Sequence, residues 1–295
     1  MDIACSALAG IVARVPCHPL DTIKTVAVAS EGSASAASPM HVARLLYQRE
    51  GVRGFYRGVG IAALGSAPGV ACYITVYEWA KHRLAAGLGG GWSVDSPVVH
   101  LSAGFAAEVV SCVVWLPIDV VKERLQAQGP AVQNRYTGSL DGIARVARLE
   151  GLRGLYKGYW LTLGSFGPFS ACYFAGFEWY KRTLFGLDGN STPSGAQAFT
   201  CGALANVTAV VATQPLEMVK TRIQVQRAKL TTGGAEFDQF AYAYKGMADG
   251  LSSIMRESGV SGLWRGTIAR AAFTVPNAAI TFALFAQFEH LAQGS

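Results

Sequence analysis

A hexapeptide that recurs three times at equal spacing is the feature that most constrains this chain. The pattern P-x-(D/E)-x-x-K occupies residues 19–24, 117–122 and 215–220, so consecutive copies lie 98 residues apart. One copy could arise by chance, but three at one spacing indicate internal repeats of a single structural unit. An aromatic-basic-glycine element follows each copy and ends at Gly58, Gly158 and Gly266. The chain is therefore predicted to consist of three repeats, residues 1–90, 91–190 and 191–295.

The composition indicates that these repeats lie in a membrane. Of the 295 residues, 51% are hydrophobic and 15% are charged, whereas about 25% are charged in soluble domains. A helix needs roughly 17–25 apolar residues to cross a bilayer, and charge-free stretches near that length occupy 58–77, 158–177, 196–216 and 271–288. Two further stretches, 3–20 and 98–118, are each interrupted by one ionisable residue, Arg14 or Glu108. The sequence therefore predicts six spanning helices, two per repeat, and it disfavours a soluble enzyme.

Each hexapeptide predicts a kinked helix that carries a charge pair. Proline inside a helix removes one backbone hydrogen bond and bends the helix. The carboxylate and the lysine are three residues apart and so share one helix face. Three such helices around a pseudo-threefold axis would bring each carboxylate to the lysine of another repeat. The expected pairs are Asp21 with Lys122, Asp119 with Lys220, and Glu217 with Lys24. The alternative is that these residues are charged helix ends anchored in the membrane interface.

With these motifs the sequence resembles the mitochondrial carrier family over nearly its whole length. The resemblance implies an all-α bundle of six tilted transmembrane helices around a central cavity. It also implies the mitochondrial inner membrane, with both termini toward the intermembrane space. The ring of charge pairs would close the matrix side, and alternating access would move a solute. In the family a glutamine four residues after the motif lysine braces this ring; Gln126 and Gln224 match, and Val28 stands in repeat one.

The same resemblance implies a lipid site at the start of the second spanning helix of each repeat, called the even helices. Cardiolipin would bind there because backbone N–H groups at a helix start attract phosphate. The residues assigned to it are Arg57, Gly58, Lys157, Gly158, Arg265 and Gly266. The net charge of +6 is then explained by lipid rather than by nucleic acid. Since the start of the sequence has neither a basic leader nor an arginine-rich transit peptide, internal targeting is expected.

A second gate is expected at the other end of the bundle, where the family pattern is (F/Y)-(D/E)-x-x-(K/R). Two copies match, at residues 77–81 and 177–181, but the copy placed by distance at 285–289 lacks its acid and has an acid at the basic position. The matching residues are Tyr77, Glu78, Lys81, Glu178 and Lys181. Only Glu78 with Lys181 remains as a complete pair, so this gate is predicted to be weak. The alternative function is a transport-inactive carrier-fold subunit of a larger inner-membrane complex, such as a respiratory complex.

The solute contacts that the resemblance implies are neutral. They lie eight positions after the basic residue of each even-helix start, at Gly65, at Ser165 with Phe166, and at Phe273 with Thr274. Carriers of nucleotides or dicarboxylates commonly place a base at one of these points, so such solutes are disfavoured.

Two ionisable residues inside predicted spans are the remaining binding candidates. Charge inside a span is costly and points to function. Arg14 is suited to a phosphate or carboxylate, and Glu108 to a cationic group; the alternative is that the two neutralise each other or snorkel toward the interface. Repeat one is also similar to S-adenosylmethionine carriers, which have a carboxylate where Glu108 stands but an acid at the position of Arg14.

The remaining motifs predict no further chemistry. The six cysteines all fall in predicted spans and form no C-x-x-C pair, so neither a disulfide nor a metal site is expected, and no cofactor is predicted. Amphipathic stretches at 42–46 and 143–149 are expected to lie along the membrane surface.

Overall fold

The computed structural model describes residues 2–30, 38–87, 96–128, 136–187, 193–226 and 244–293. Side chains are described between residues 12 and 281 of these ranges, apart from 13, 64, 66, 87 and 97. Within the described ranges the chain is helical and has no strand. The prediction of an all-α protein is confirmed.

Six long helices contain the six predicted spans. They are α1 (Asp2–Ala29), α3 (Val59–Gly87), α4 (Pro97–Ala127), α7 (Tyr159–Phe185), α8 (Gly195–Val225) and α10 (Thr267–Gln293). The shortest has 27 residues and the longest 31, so at 1.5 Å per residue they are about 40–46 Å long. Each is long enough to cross a hydrocarbon core of about 30 Å.

Length and hydropathy alone select fewer spans than the repeat pattern does. Among the described residues, Val98–Ala127 and Gly195–Val225 qualify by themselves. A third span results if Pro39–Ala63 and Ala67–Ala86, which meet at a bend of 42°, are counted together. The count of six therefore rests on the threefold repeat, which gives each of these helices two counterparts.

Shorter helices follow α1, α4 and α8, which are the first long helices of the three repeats. They are α2 (Pro39–Glu50), a 3-10 helix (Gly51–Tyr56), α5 (Ser139–Leu149), α6 (Gly151–Leu155) and α9 (Met247–Gly262). Val42 and Leu46 of α2 are buried in one cluster with Ile23 and Ala27 of α1. At the start of α5, the Thr137 backbone N–H donates to Asp141 and lowers the pKa of that carboxyl. These helices therefore pack against the ends of the long helices, and their expected orientation along the membrane surface stays a prediction.

The six long helices close into a ring in chain order. α1 packs on α3, α3 on α4, α4 on α7, α7 on α8, α8 on α10, and α10 returns to α1. The most extensive contacts join neighbouring repeats. At one of these junctions glycine is required, because a Cβ added to Gly65 would lie 2.6 Å from Ile118 and one added to Gly69 would lie 2.5 Å from Trp115. The close approach of α3 to α4 thus fixes one wall of the central cavity.

Proline occurs inside all six long helices. Pro19, Pro117 and Pro215 lie in α1, α4 and α8, as the hexapeptide predicts, and α3, α7 and α10 contain Pro68, Pro168 and Pro276. The segments after the first three prolines converge and are buried. We call this the ring end, defined by Asp21, Lys122 and Glu217. The opposite end, defined by Glu78 and Glu178, is called the open end.

Candidate functional site

The ring end contains two of the three predicted ion pairs between repeats. Lys24 Nζ lies 2.8 Å from Glu217 Oε1, and Lys122 Nζ lies 3.2 Å from Asp21 Oδ2. Asp119 and Lys220 do not come within 4.0 Å of each other. Lys122 is also 3.7 Å from Asp119, and Lys220 is 3.9 Å from Glu217, in each case one turn away in the same helix. The ring is therefore closed in two places and loose in the third.

The glutamine expected to brace the ring does so in only one repeat. Gln126 Nε2 donates to Asp21 Oδ2 at 3.1 Å and to Thr22 Oγ1 at 3.2 Å, while its Oε1 accepts from Thr25 Oγ1 at 2.9 Å. Gln224 is equally buried, yet neither atom of its amide has a hydrogen-bond partner in the part of the chain that the structure describes. Val28 fills the same place in repeat one and offers no polar group.

Two arginines at the ring end form a layer that the sequence analysis above misses. Arg124 donates from Nε to the Gln224 carbonyl at 3.0 Å and pairs with Glu150 at 2.9 Å. Arg222 donates from Nε to the Val28 carbonyl at 3.1 Å and from Nη1 to the Tyr244 hydroxyl at 2.8 Å. Both follow a motif lysine by two residues and are 98 residues apart. This shared spacing could have identified both arginines from the sequence. The corresponding position in repeat one is Val26, which has no basic group.

The basic residues at the starts of α3, α7 and α10 reach the C-terminal ends of α4, α8 and α1, respectively. Lys157 Nζ donates to the Gln226 carbonyl at 3.1 Å, and Arg265 Nη1 donates to the Ser30 carbonyl at 3.1 Å. Arg57 makes the matching bond to the Gln128 carbonyl. These side chains satisfy carbonyls that a helix end leaves open.

The glycine that follows each of these basic residues has a positive φ: 76° at Gly58, 87° at Gly158 and 79° at Gly266. This is the left-handed region, which glycine enters without steric cost. The assignment of the six residues to cardiolipin stays a prediction.

The open end shows no link between its two intact motifs. Glu78 lies 2.8 Å from Lys81, and Glu178 lies 3.4 Å from Lys181, so each acid pairs within its own helix. The expected Glu78–Lys181 pair is absent among the described ion pairs. The Tyr77 hydroxyl is instead 2.6 Å from His100 Nδ1 on α4. The third copy of the motif lies outside the described side chains.

A cavity of about 670 Å³ lies on the open side of the ring, between α3, α4 and α7. Its walls are mainly aromatic and apolar, and one face of α7 supplies four of its residues. The lining consists of Tyr73, Tyr77, His100, Leu101, Gly104, Phe166, Ser170, Phe174 and Glu178. No lysine or arginine belongs to this described lining.

The predicted neutral contact points are not all in this cavity. Phe166 lines it, but Gly65 is buried against Ile118. Ser165 Oγ donates to the Thr162 carbonyl at 2.9 Å. Thr274 Oγ1 donates to Asn206 Oδ1 at 2.7 Å, and Phe273 is half-buried on α10.

Arg14 and Glu108 do not neutralise each other. Neither is in an ion pair within 4.0 Å among the residues that the structure describes. The Arg14 guanidinium carbon lies 4.9 Å from the centroid of the Trp115 ring, which is a cation–π contact. Glu108 Oε1 accepts a hydrogen bond from Cys112 Sγ at 3.3 Å. The direct ion pair that was the alternative is therefore absent, and Trp115 is a further residue of the site that the sequence analysis did not identify.

Comparison with known proteins gives one consistent result. The family model described as mitochondrial carrier protein matches residues 1–87, 93–187 and 191–295. Mitochondrial substrate carrier family protein E of Dictyostelium discoideum is 31% identical over 98% of this chain and 95% of its own length. The mitochondrial S-adenosylmethionine carrier protein of Danio rerio is 32% identical over 90% of this chain and 87% of its own length. Mitoferrin of Dictyostelium discoideum is 30% identical over 99% and 94%.

Proposed function

Because this chain belongs to the mitochondrial carrier family, we propose that it moves a small solute across the inner membrane by alternating access. The observation that carries this proposal is the contrast between the two ends of the bundle. At the ring end the Lys24–Glu217 and Asp21–Lys122 pairs are buried between helices. At the open end the described charged pairs stay within single helices. This contrast supports a conformation that is held closed at the ring end.

The ring can open without leaving its lysines bare. Lys122 has Asp119 one turn away at 3.7 Å, and Lys220 has Glu217 at 3.9 Å. When the helices separate, these two lysines can therefore each keep a carboxylate from their own helix. An isolated buried charge would cost several kcal/mol. This arrangement lowers the cost of opening and supports a ring that forms and breaks during transport.

The state preference follows from the difference between the two ends. A ligand shifts a two-state equilibrium only by binding one state more tightly than the other. Because the gate motif at 285–289 is incomplete, fewer ion pairs can stabilise the closed form of the open end. The protein without solute is therefore expected to rest with its ring end closed.

The experiment is solute exchange by the full chain in cardiolipin-containing proteoliposomes, with nucleotides, amino acids, cofactors and S-adenosylmethionine as solutes. S-adenosylmethionine is included because one relative is named as a mitochondrial carrier of it. Lys24→Ala removes the partner that lies 2.8 Å from Glu217 and leaves this carboxylate with Lys220 and Arg270, each at 3.9 Å; it is expected to reduce exchange at least tenfold. Lys245→Ala is the control, since Lys245 is exposed and lies outside the ring.

Two results would contradict the proposal. Exchange by Lys24→Ala at the unaltered rate would remove the ring from the mechanism. No exchange of any solute, together with stoichiometric co-purification in a respiratory complex, would establish the transport-inactive subunit instead.

A further inference from the structure

We propose that Tyr156 is a positioning residue which, together with Lys157, bridges α4 and α8 and holds closed the ring-end junction that lacks its ion pair. This inference rests on the proposed function, because it concerns the end of the bundle that would open during transport. The contacts that carry it come from the aromatic-basic-glycine element of repeat two, which touches both helices.

Pro117 leaves one carbonyl of α4 without its helical donor. In an α-helix the carbonyl of a residue accepts from the N–H group four residues later, and proline has no N–H group. The carbonyl that loses its partner to Pro117 is that of Val113, inside the predicted span 98–118. Since the hydrocarbon core offers no water in its place, this carbonyl requires a donor from a side chain.

Tyr156 supplies that donor. Its hydroxyl donates to the Val113 carbonyl at 3.0 Å. Repeat three has the same contact with a different side chain. There the Trp264 indole N–H donates at 2.9 Å to the carbonyl of Val211, four residues before Pro215. Because two different donors serve equivalent carbonyls, the hydrogen bond rather than a particular ring is what these positions provide.

The next residue in the chain reaches the other side of the junction. Lys157 Nζ donates to the carbonyl of Gln226, just past the end of α8, at 3.1 Å. A Cβ added to Gly158 would lie 3.1 Å from Cγ of Gln224, so α8 also packs closely on this element. Tyr156 and Lys157 therefore contact the kink of α4 and the end of α8, and we call these two residues the bridge.

The bridge spans the junction at which the expected ion pair is absent. Within the described ranges, Asp119 and Lys220 form no ion pair, and the Gln224 amide has no hydrogen-bond partner. Arg124 joins α4 to α8 directly, since it donates to the Gln224 carbonyl at 3.0 Å and to the Gln226 carbonyl at 2.8 Å. These bonds require the segment of α4 after its proline to point toward α8. The bridge fixes that direction at the kink.

Repeat one has the aromatic residue but not the contact. Tyr56 stands at the equivalent place in the motif, yet its ring stacks on His18 with centroids 6.2 Å apart. Its hydroxyl has no hydrogen bond in the part of the chain that the structure describes. The junction of α1 with α4 has the ion pair of Lys122 with Asp21 and the Gln126 brace. A junction with both of these can therefore close without a bridge.

The junction of α8 with α1 is intermediate between these two cases. It has an ion pair but no bonded glutamine among the described residues, and it has a bridge of its own. Trp264 holds the kink of α8, and Arg265 donates to the Ser30 carbonyl at the end of α1 at 3.1 Å. The bridge of repeat two thus has the larger role, because its junction has neither the ion pair nor the bonded glutamine.

The test is hydrogen–deuterium exchange of the purified full chain in detergent, measured by mass spectrometry. Helical amides exchange through local opening, so each segment reports on itself. Tyr156→Phe removes only the donor. It is expected to speed hydrogen exchange about tenfold in residues 119–127 and 217–225, the factor expected when a carbonyl loses its one side-chain donor. Residues 21–29 of α1 are expected to keep their rate.

Three variants assign the effect to this hydrogen bond. Tyr156→Trp supplies an indole N–H, as Trp264 does in repeat three, and should keep the slow hydrogen exchange. Tyr159→Phe removes a hydroxyl that donates to the Val109 carbonyl at 2.8 Å. Val109 has no proline four residues after it and keeps its helical donor, so hydrogen exchange should be unchanged. Tyr56→Phe alters the equivalent tyrosine of repeat one and should also have no effect.

The bridge would be refuted by unaltered hydrogen exchange in Tyr156→Phe, or by an equal rise in residues 21–29, which would indicate a general loss of stability. The same rise in any of the three other variants would refute it as well. The measurement needs no solute and is therefore independent of the proposed transport. The expected pattern in a chain that transports nothing would refute the carrier function alone, and transport by a chain without this pattern would refute the bridge alone.

Discussion

Replacing Gln126 by valine tests whether the polar brace holds the ring end closed. Valine is the residue that repeat one already has at this place, Val28. The substitution removes three hydrogen bonds, one of them to the Asp21 carboxylate and two to threonine hydroxyls. It leaves the polar atoms of these partners buried with fewer hydrogen bonds, which is the costly way to lose one.

The size of the effect follows from these three bonds. A net hydrogen bond contributes about 0.5–1.5 kcal/mol when neutral and about 1.5–3 kcal/mol when charged. The expected loss is therefore about 2.5–6 kcal/mol in the ring-closed state. At about 2 °C per kcal/mol for a chain of this length, the melting temperature should fall by roughly 5–12 °C. The population of the ring-closed state should fall by at least about 60-fold, at 1.4 kcal/mol per tenfold.

The assay is thermal unfolding in detergent, with Gln224→Val as the matched control. Gln224 is the same residue in the next repeat, but its amide has no hydrogen-bond partner among the described residues. Its replacement removes a buried, unsatisfied polar group and should be neutral or stabilising. Equal losses in the two variants would refute the reasoning, because the bonds at Gln126 would then not be the cause. An unchanged melting temperature in Gln126→Val would refute it as well.

Two further substitutions test the packing around the site. Gly65→Ala places a methyl group 2.6 Å from Ile118 and is expected to cost about 1–3 kcal/mol by overpacking. Gly164→Ala, with open space around it, should be neutral or slightly stabilising. Melting temperatures in detergent check both substitutions, and equal effects would contradict the close approach of α3 to α4. Arg124→Ala removes a buried guanidinium together with its ion pair to Glu150 and its hydrogen bonds to the Gln224 and Gln226 carbonyls, and it should cost about 3–5 kcal/mol. Arg145→Ala breaks a partly exposed pair and should change the melting temperature little. A small loss at Arg124, measured in the same way, would contradict its role at the helix ends.

The sequence predicts the helices well because their period is written into it. The three hexapeptides fix the repeat length and so locate the helices of all three repeats, although helix length and hydropathy select only two or three spans among the described residues. Arg124 and Arg222 were visible in the same way, since they share the 98-residue spacing. What repeats in the sequence could therefore be placed in the structure.

Contacts between helices could not be read in this manner. The position of Trp115 beneath Arg14 depends on how α1 and α4 rotate against each other, and no local pattern encodes that rotation. Gly65 was a candidate for solute contact by its position in the repeat, yet the absence of a side chain draws α4 close and places Ile118 against it. The pairing of Asp119 with Lys220 failed for a similar reason, since the separation of α4 and α8 decides it.

The ring end is threefold in sequence but not in its interactions. The junction of α1 with α4 has an ion pair and the Gln126 brace, and it lacks an arginine because Val26 stands in that place. The junction of α8 with α1 has an ion pair and an arginine, and it lacks the glutamine. The junction of α4 with α8 has neither its ion pair nor a bonded glutamine and is held by Arg124. The three junctions thus have different combinations of ion pair, bonded glutamine and arginine, although the motif that builds them is the same. If the ring opens during transport as proposed, it must break at every junction, so the bonds present at each junction, rather than the number of motifs, set the free energy of opening.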